Sequence, residues 1–225
     1  MIRITELQLP LAEKSVENTP EELRAAILKR LGIEASSLID FSVFKRSYDA
    51  RKKNDGICFV YIVDVSLRDE ASVLQRHSND PSIRLAPDTR YQAPPRASTQ
   101  SQDRPVVVGF GPCGLFTALI LAQQGYRPIV LERGKDVRRR TQDTWGLWRK
   151  SVLTPESNVQ FGEGGAGLFS DGKLYSQIKD PRFLGRKVMQ EFVRAGAPAE
   201  ILYVSKPHIG TFRLVSMVEK MRAKI

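Results

Sequence analysis

The residues best placed to do chemistry lie in the second half of the chain. There Gly109-Phe110-Gly111-Pro112-Cys113-Gly114 spells a G-x-G-x-x-G turn between the apolar run Val106-Val107-Val108 and a helical pattern from Leu115 to Gln124. Each glycine has a physical task. Gly109 permits a tight exit from a strand, and Gly111 lets an anion approach the amides at the positive end of the helix. Gly114, with the small Ala118 behind it, lets the helix pack closely on the sheet. Pro112 and Cys113 lie inside the turn and are taken with it as ligand-contacting positions. Glu132 follows 23 residues after Gly109, at the tip of the next apolar run, Ile129-Val130-Leu131. A carboxylate there accepts hydrogen bonds from ribose hydroxyls and repels a 2′-phosphate. The pattern predicts a dinucleotide site; the competing reading is a glycine-rich βα turn with no ligand.

A second glycine-rich segment is Val159-Gln160-Phe161-Gly162-Glu163-Gly164-Gly165-Ala166-Gly167-Leu168-Phe169-Ser170-Asp171-Gly172-Lys173-Leu174, with five glycines in residues 162–172. Glycine at that density disfavours helix and strand alike and suits backbone brought against a large ligand. A flexible surface loop is the alternative, and the interleaved Phe161, Leu168 and Phe169 argue against it. The candidate contacts are Gly164, Gly165, Ala166, Gly167, Ser170 and Lys173. Among Arg133, Arg138, Arg139 and Arg140, one is expected over an adenine or near a phosphate, with Arg133 and Arg140 as the candidates and the others on a solvated face. Trp145, Leu147 and Trp148 are expected to pack their helix. Cys113 reads either as a thiolate favoured by a helix N-terminus or as a small buried residue. His208, in Lys206-Pro207-His208-Ile209-Gly210-Thr211, reads either as an acid/base group or as a loop histidine bonded to backbone.

The elements that must hold these residues fall into two parts. Residues 105–225 begin a doubly wound α/β domain: strand, glycine turn, helix, Gly125 stop and second strand. Residues 88–104, polar and carrying Pro94-Pro95, read as a linker. Residues 1–87 read as a small α+β unit. Ile2-Arg3-Ile4 alternates as a strand, and Thr19-Pro20-Glu21-Glu22 is a capping box opening a helix with Leu23, Ala26, Ile27 and Leu31 on one face and Gly32 as its stop. Phe41, Val43 and Lys45 alternate with Ser42, Phe44 and Arg46. Asn54-Asp55-Gly56 is a turn before the β-prone run from Ile57 to Val63. A short helix near Glu70–Arg76 and a strand at Ile83–Leu85 complete a β-α-β-β-α-β order, which predicts a ferredoxin-like sandwich.

Composition narrows the classes. The chain has 225 residues, 41% hydrophobic and 27% charged, enough for buried cores and unlike disordered sequences. Residues 1–104 carry 16 Lys/Arg against 15 Asp/Glu and residues 105–225 carry 19 against 10, so most of the net charge of +10 lies in the half with the glycine turn. That asymmetry suits an anionic partner, or it serves solubility alone. No apolar run is long enough for a membrane span and no secretory signal opens the chain, so no membrane partner is expected. Two cysteines, Cys58 and Cys113, fit a reducing cytoplasm, and with two histidines far apart they predict no metal site. Gly56-Ile57-Cys58-Phe59-Val60 partly echoes an RNA-recognition strand, but only Phe59 could stack a base and this half is nearly neutral; nucleic acid is not the expected partner.

The glycine turn, the strand end Glu132-Arg133-Gly134, the segment Asn158-Val159-Gln160-Phe161-Gly162-Glu163-Gly164-Gly165-Ala166-Gly167 and the stretch from Lys206 to Thr211 resemble the FAD-dependent, NAD(FAD)-utilising dehydrogenases of the glutathione-reductase-like flavoproteins. Lys45-Arg46-Ser47-Tyr48-Asp49-Ala50-Arg51-Lys52-Lys53 is similar to the small N-terminal domain of that group. The resemblance implies a partial Rossmann-type FAD-binding domain, FAD as cofactor, and NAD(P)H as a possible electron donor. It also implies Lys173 beside the flavin, where a cation would stabilise negative charge, although a solvated lysine is the plainer alternative. Cys113 stands where alanine is usual. Members are roughly twice this length, so the expectation is an N-terminal portion lacking the remaining strands, the substrate-facing domain and a late Gly-Asp element, with FAD held only weakly. A non-catalytic remnant is the alternative to a working oxidoreductase. No Cys-x-x-Cys is present, which excludes the disulfide-reductase branch. Substrate and oligomeric state are not legible.

Overall fold

A computed structural model describes residues 1–11, 18–51, 56–97, 103–170, 172–174 and 176–225. The expected turn residues Asn54 and Asp55, Lys52 and Lys53 of the basic stretch, part of the expected linker and Asp171 of the glycine segment lie outside them. The protein is mixed α/β and divides into two compact units, Met1–Asp88 with Leu202–Ser205, and Thr89–Ile201 with Lys206–Ile225.

The first unit runs β1 (Ile2–Pro10), α1 (Pro20–Leu31), β2 (Leu38–Asp49), β3 (Cys58–Leu67), α2 (Glu70–Arg76) and β4 (Ile83–Leu85). The strands form one antiparallel sheet in the order β2-β3-β1-β4. The N-terminus of α1 is closed in both directions: Glu22 N–H donates to Thr19 Oγ1 at 3.2 Å and Thr19 N–H to Glu22 Oε2 at 2.8 Å. Gly32 ends the helix in the left-handed region, donating its N–H to Leu28 O. Leu23, Ile27 and Leu31 then pack with Ile2, Ile4, Phe59, Tyr61, Val63 and Val65.

Strand β1 is longer than the alternation of its first residues predicts. Glu6 takes φ 59°, the register shifts between Ile4 and Leu7, and the bulge returns Leu7 and Leu9 to the core. A second shift, between Val43 and Lys45, sets Arg46 opposite Tyr61 and buries it, its guanidinium 5.1 Å from the Phe59 ring centroid. Residues 202–205 join the free edge of β2: Arg46 N–H donates to Tyr203 O, and Ser205 N–H to Arg46 O at 2.9 Å. Across the sheet, Arg3 forms a buried two-pronged pair with Asp64 at 2.7 and 2.8 Å and lies 3.6 Å over the Phe44 ring. Phe59 is fully buried. The one aromatic ring considered for base stacking is therefore part of the core.

The second unit contains β5 (Val106–Val108), α3 (Pro112–Gln123), β6 (Ile129–Leu131), α4 (Val137–Lys150), α5 (Leu184–Arg194) and α6 (Thr211–Arg222). Strands β5 and β6 pair in parallel, Val107 opposite Val130, with α3 as the connection between them. Val107, Leu115, Ala118, Leu119, Val137, Leu168, Leu214, Met217, Val218 and Met221 form its core. Residues 89–97 group with this unit: Ala97 N–H donates to Gln124 O at 2.9 Å, and the Lys187 ammonium sits 5.0 Å from the Tyr91 ring. The expected linker is thus tied to this unit at Tyr91 and Ala97, while residues 92–96 between them are exposed. Among the described residues, no helix is long and apolar enough to cross a membrane.

Candidate functional site

The parallel pair ends at the glycine turn. Gly109 leaves β5 at φ +90° and donates its N–H to Leu131 O at 2.7 Å, fastening the turn to the end of β6. Gly111 caps α3 at φ −73° and ψ −173°. A Cβ on Gly114 would stand 2.0 Å from Gly109 O, so the first turn of α3 lies directly on the turn before it and admits no side chain there. The amides of that first turn have no acceptor within the helix and carry its positive end.

Glu132 is aimed at the same turn. Its Oε2 accepts the Phe110 N–H at 2.6 Å and its Oε1 the Gly134 N–H at 2.8 Å. The carboxylate therefore lies beside the glycine turn, half-buried, with lone-pair capacity beyond the two amides.

The second glycine segment is laid against the first. Gly164 N–H donates to Phe110 O at 2.8 Å, and a Cβ on Gly165 would stand 2.8 Å from Pro112 Cδ. On the other side a Cβ on Gly134 would meet Gly162 Cα at 2.3 Å. These approaches explain the glycines: three stretches of backbone are stacked where side chains would separate them. Ala166 begins a short 3-10 turn and is exposed. Ser170 Oγ donates to Gly167 O at 2.7 Å and accepts the Gly172 N–H at 3.2 Å, closing the segment on itself.

Arg140 is not where the sequence suggests. It is fully buried, and its guanidinium donates to five carbonyls: Asn158 O at 2.8 Å, Val159 O at 2.8 Å, Gly162 O at 3.3 Å, Glu163 O at 2.7 Å and Gly165 O at 2.8 Å. Burial pulls its pKa below that of a solvated guanidinium, while the nearby Glu132 and Glu163 carboxylates oppose the fall. Arg140 is thus a clasp for the glycine segment, with its donors directed at protein carbonyls. Arg133 is exposed and pairs with Glu156 at 2.5 Å.

Two other expectations concern Cys113 and the tryptophans of α4. Cys113 is exposed on the first turn of α3, which removes the reading as a small buried residue. Trp145 and Trp148 are partly exposed and meet edge to face at 6.3 Å, with Arg149 4.0 Å from the Trp145 ring centroid. Trp148 also meets Phe169 edge to face at 5.9 Å, so the two rings pack on their helix and on Phe169 while staying partly exposed.

Two clefts flank the turn. One, of about 410 Å³, is lined by Phe110, Val130, Glu132, Asp136, Glu163 and Arg222 among others. Glu163, absent from the sequence-derived candidates, is buried; its Oε2 accepts from Val137 N–H at 2.6 Å and Arg222 Nη1 at 2.6 Å. Its Oε1 is buried with no donor among the described residues. The only sequence signal was a carboxylate inside a glycine run. The second cleft, of about 430 Å³, is lined by Pro112, Phe116, Gly164, Gly167, Ser170 and Lys173 with apolar side chains from α3, α5 and α6. Lys173 and His208, far apart in sequence, are partners in an isolated antiparallel bridge.

Residues 1–66 match a family described as a domain of unknown function (DUF8436). The whole chain is similar to a protein of Clostridium beijerinckii described as uncharacterized, with 43% identity over 224 residues. That match takes in 100% of this chain and 40% of the relative, so the chain spans well under half the length of the protein it resembles.

Proposed function

We propose that the second unit is a Rossmann-type dinucleotide-binding domain and that the protein is a portion of an FAD-dependent oxidoreductase. The observation that carries the reading is Glu132, held by the Phe110 amide at 2.6 Å beside a turn in which Gly114 has no room for a Cβ. Bare first-turn amides for a diphosphate, with a carboxylate acceptor beside them for ribose hydroxyls, are the donor and acceptor set a dinucleotide requires. The buried, unpaired Glu163 Oε1 in the neighbouring cleft adds an acceptor for a hydroxyl or amino donor.

The residues present therefore fit FAD. Gly111, Pro112, Cys113 and Gly114 would hold the diphosphate, Glu132 the ribose, and Gly164, Gly165, Gly167, Ser170 and Lys173 the flavin half. The bound flavin would supply the electron-transfer chemistry, and NAD(P)H is the proposed donor. The chain's own residues position it: Arg140 fixes the glycine segment, and the apolar second cleft excludes water. The first unit, with its β-α-β-β-α-β order and antiparallel sheet, is read as ferredoxin-like. Free Cys58 and Cys113 suit a reducing, cytoplasmic setting.

FAD titration of the chain, followed by flavin fluorescence and by absorbance between about 350 and 500 nm, tests the reading. Gly111→Ala is the informative variant. Its backbone is in a region open to any residue and the nearest atom to a new Cβ is 3.7 Å away, so the fold tolerates it while the methyl group obstructs the diphosphate. Saturable binding by the parent chain, weakened at least tenfold in Gly111→Ala, is expected. Absence of binding, or equal binding by the variant, refutes it.

A further inference from the structure

Helix α4 and the turn after it carry an apolar corner that faces solvent. Trp148, Arg149, Lys150, Ser151, Val152 and Leu153 form one continuous exposed run. Trp148, Val152 and Leu153 are 55%, 57% and 60% exposed, and Trp145, one turn earlier, is 37% exposed. Single apolar side chains on a surface are ordinary, but four large ones so close together mark a site of contact.

The corner is held in place on both sides. Ser151 takes φ 54°; its N–H donates to Leu147 O at 3.1 Å and the Val152 N–H to Gly146 O at 3.3 Å. Further on, Asn158 Nδ2 donates to Thr154 O and Pro155 O, each at 3.0 Å. Val152 and Leu153 therefore stay outside the core although the backbone around them is tied down. On the helix, Trp148 meets Trp145 and Phe169 edge to face, which keeps the indoles together at the surface.

The charge within the run is positive. Arg149 and Lys150 are exposed in the last turn of α4, and neither is in an ion pair among the described residues; Arg149 lies over the Trp145 ring. Residues 105–225 carry 19 basic against 10 acidic side chains, so the field of this half adds to the local one. Neither of the two clefts is lined by any residue from 145 to 153. The patch thus offers indoles, aliphatic side chains and cations on an open surface.

These three components match the interface of an anionic bilayer. Indole rings settle at headgroup level, aliphatic side chains reach the acyl boundary, and cations pair with lipid phosphates. A nucleic acid would use the aromatic rings and the cations but gain no stacking from Val152 and Leu153.

We propose that the corner from Trp145 to Leu153 is a peripheral docking surface for an anionic phospholipid bilayer. The protein lies on the membrane and does not cross it, and the expectation of no membrane partner is revised to that extent. The proposal is independent of the flavin reading, because it uses none of the residues assigned to the cofactor.

The chain has two tryptophans, both in this corner, so their fluorescence reports on it alone. The full chain is titrated with vesicles of phosphatidylcholine alone and of phosphatidylcholine mixed with phosphatidylglycerol, each with and without brominated acyl chains. A blue shift and bromine quenching are expected on the mixed vesicles, with partitioning roughly tenfold or more weaker on the neutral ones and at high salt. Each basic residue near such a surface is worth about fivefold, so Arg149→Gln with Lys150→Gln should weaken binding roughly tenfold or more. Val152→Ser with Leu153→Ser should weaken it to a similar degree. All four positions are exposed, so circular dichroism melts should match the parent. Absence of binding, equal binding to neutral and anionic vesicles, binding unaltered by either double variant, or binding without bromine quenching overturns the proposal. A dimer that shifts the indole emission without lipid and is lost in Val152→Ser with Leu153→Ser would assign the corner to a second copy of the chain instead. Stronger quenching by an oligonucleotide than by the mixed vesicles would assign it to nucleic acid.

Discussion

Glu132 joins two backbone amides, taking the Phe110 N–H at 2.6 Å on one carboxylate oxygen and the Gly134 N–H at 2.8 Å on the other. One side chain at the tip of β6 thereby fixes both the glycine turn that follows β5 and the chain leaving its own strand. The same group is the proposed ribose acceptor, so its removal should affect ligand choice as well as affinity.

Glu132→Gln keeps an acceptor oxygen but removes the charge and places an amino group toward an amide donor. Hydrogen bonds to a charged group contribute about 1.5–3 kcal/mol, so FAD affinity should fall roughly ten- to hundredfold. Discrimination against a 2′-phosphorylated adenine dinucleotide should fall with it, because the repelling charge has gone. Competition titrations against FAD measure both effects.

Arg140 should be the most sensitive structural position in the second unit. Arg140→Ala leaves five carbonyls without their donor and opens a cavity, with an expected loss of about 3–5 kcal/mol. Thermal melting should register this as a drop of roughly 6–20 °C. Arg140→Lys keeps the charge, but its three donors cannot serve five acceptors, and it should melt between the other two proteins.

Acid should destabilise the second unit partly through Glu191. This side chain is buried and receives Lys187 Nζ at 2.6 Å, Arg194 Nη1 at 2.7 Å and Gln123 Nε2 at 3.2 Å. Burial alone would raise its pKa; the hydrogen bonds from Lys187 and Gln123, with the charges of Lys187 and Arg194, outweigh it and hold the group below the ordinary value. A depressed folded-state value means that the stabilisation is complete above the unfolded carboxylate pKa, about 4.3, and is lost as pH falls through the folded one. Glu191→Gln should therefore be less stable than the parent at pH 7 by about 1–3 kcal/mol, Arg194 being largely solvated, and the two should converge in acid. Urea melts at stepped pH check the convergence.

Phe59 is a packing residue, so Phe59→Ala should lower stability by about 3–5 kcal/mol. At temperatures where the variant stays folded, its retention of a labelled oligonucleotide at low salt should equal that of the parent. A specific loss of oligonucleotide binding would contradict the assignment of this ring to the core.

Local chemistry was readable in advance. The capping box of Thr19 and Glu22, the Gly32 stop and the turn from Gly109 to Gly114 are each set by neighbours within a few positions, and their residue types state their geometry. The bulges at Glu6 and beside Phe44 were hidden, because register shifts are decided by the strand opposite. Arg140 was misassigned for a related reason: an arginine in a basic run looks solvated until the fold lays five carbonyls around it. Glu163 and the juxtaposition of Lys173 with His208 depend on segments distant in sequence meeting in the fold, which no local pattern announces.

Backbone amide chemical shifts on addition of ADP, a fragment carrying the diphosphate and the adenosine, test the central claim most directly. The account predicts saturable shifts concentrated at Gly111, Cys113 and Gly114 and at Phe110 and Gly134, the two amides held by Glu132, with the amides of the first unit unmoved. Shifts absent from that turn, or confined to residues of the first unit, would contradict it.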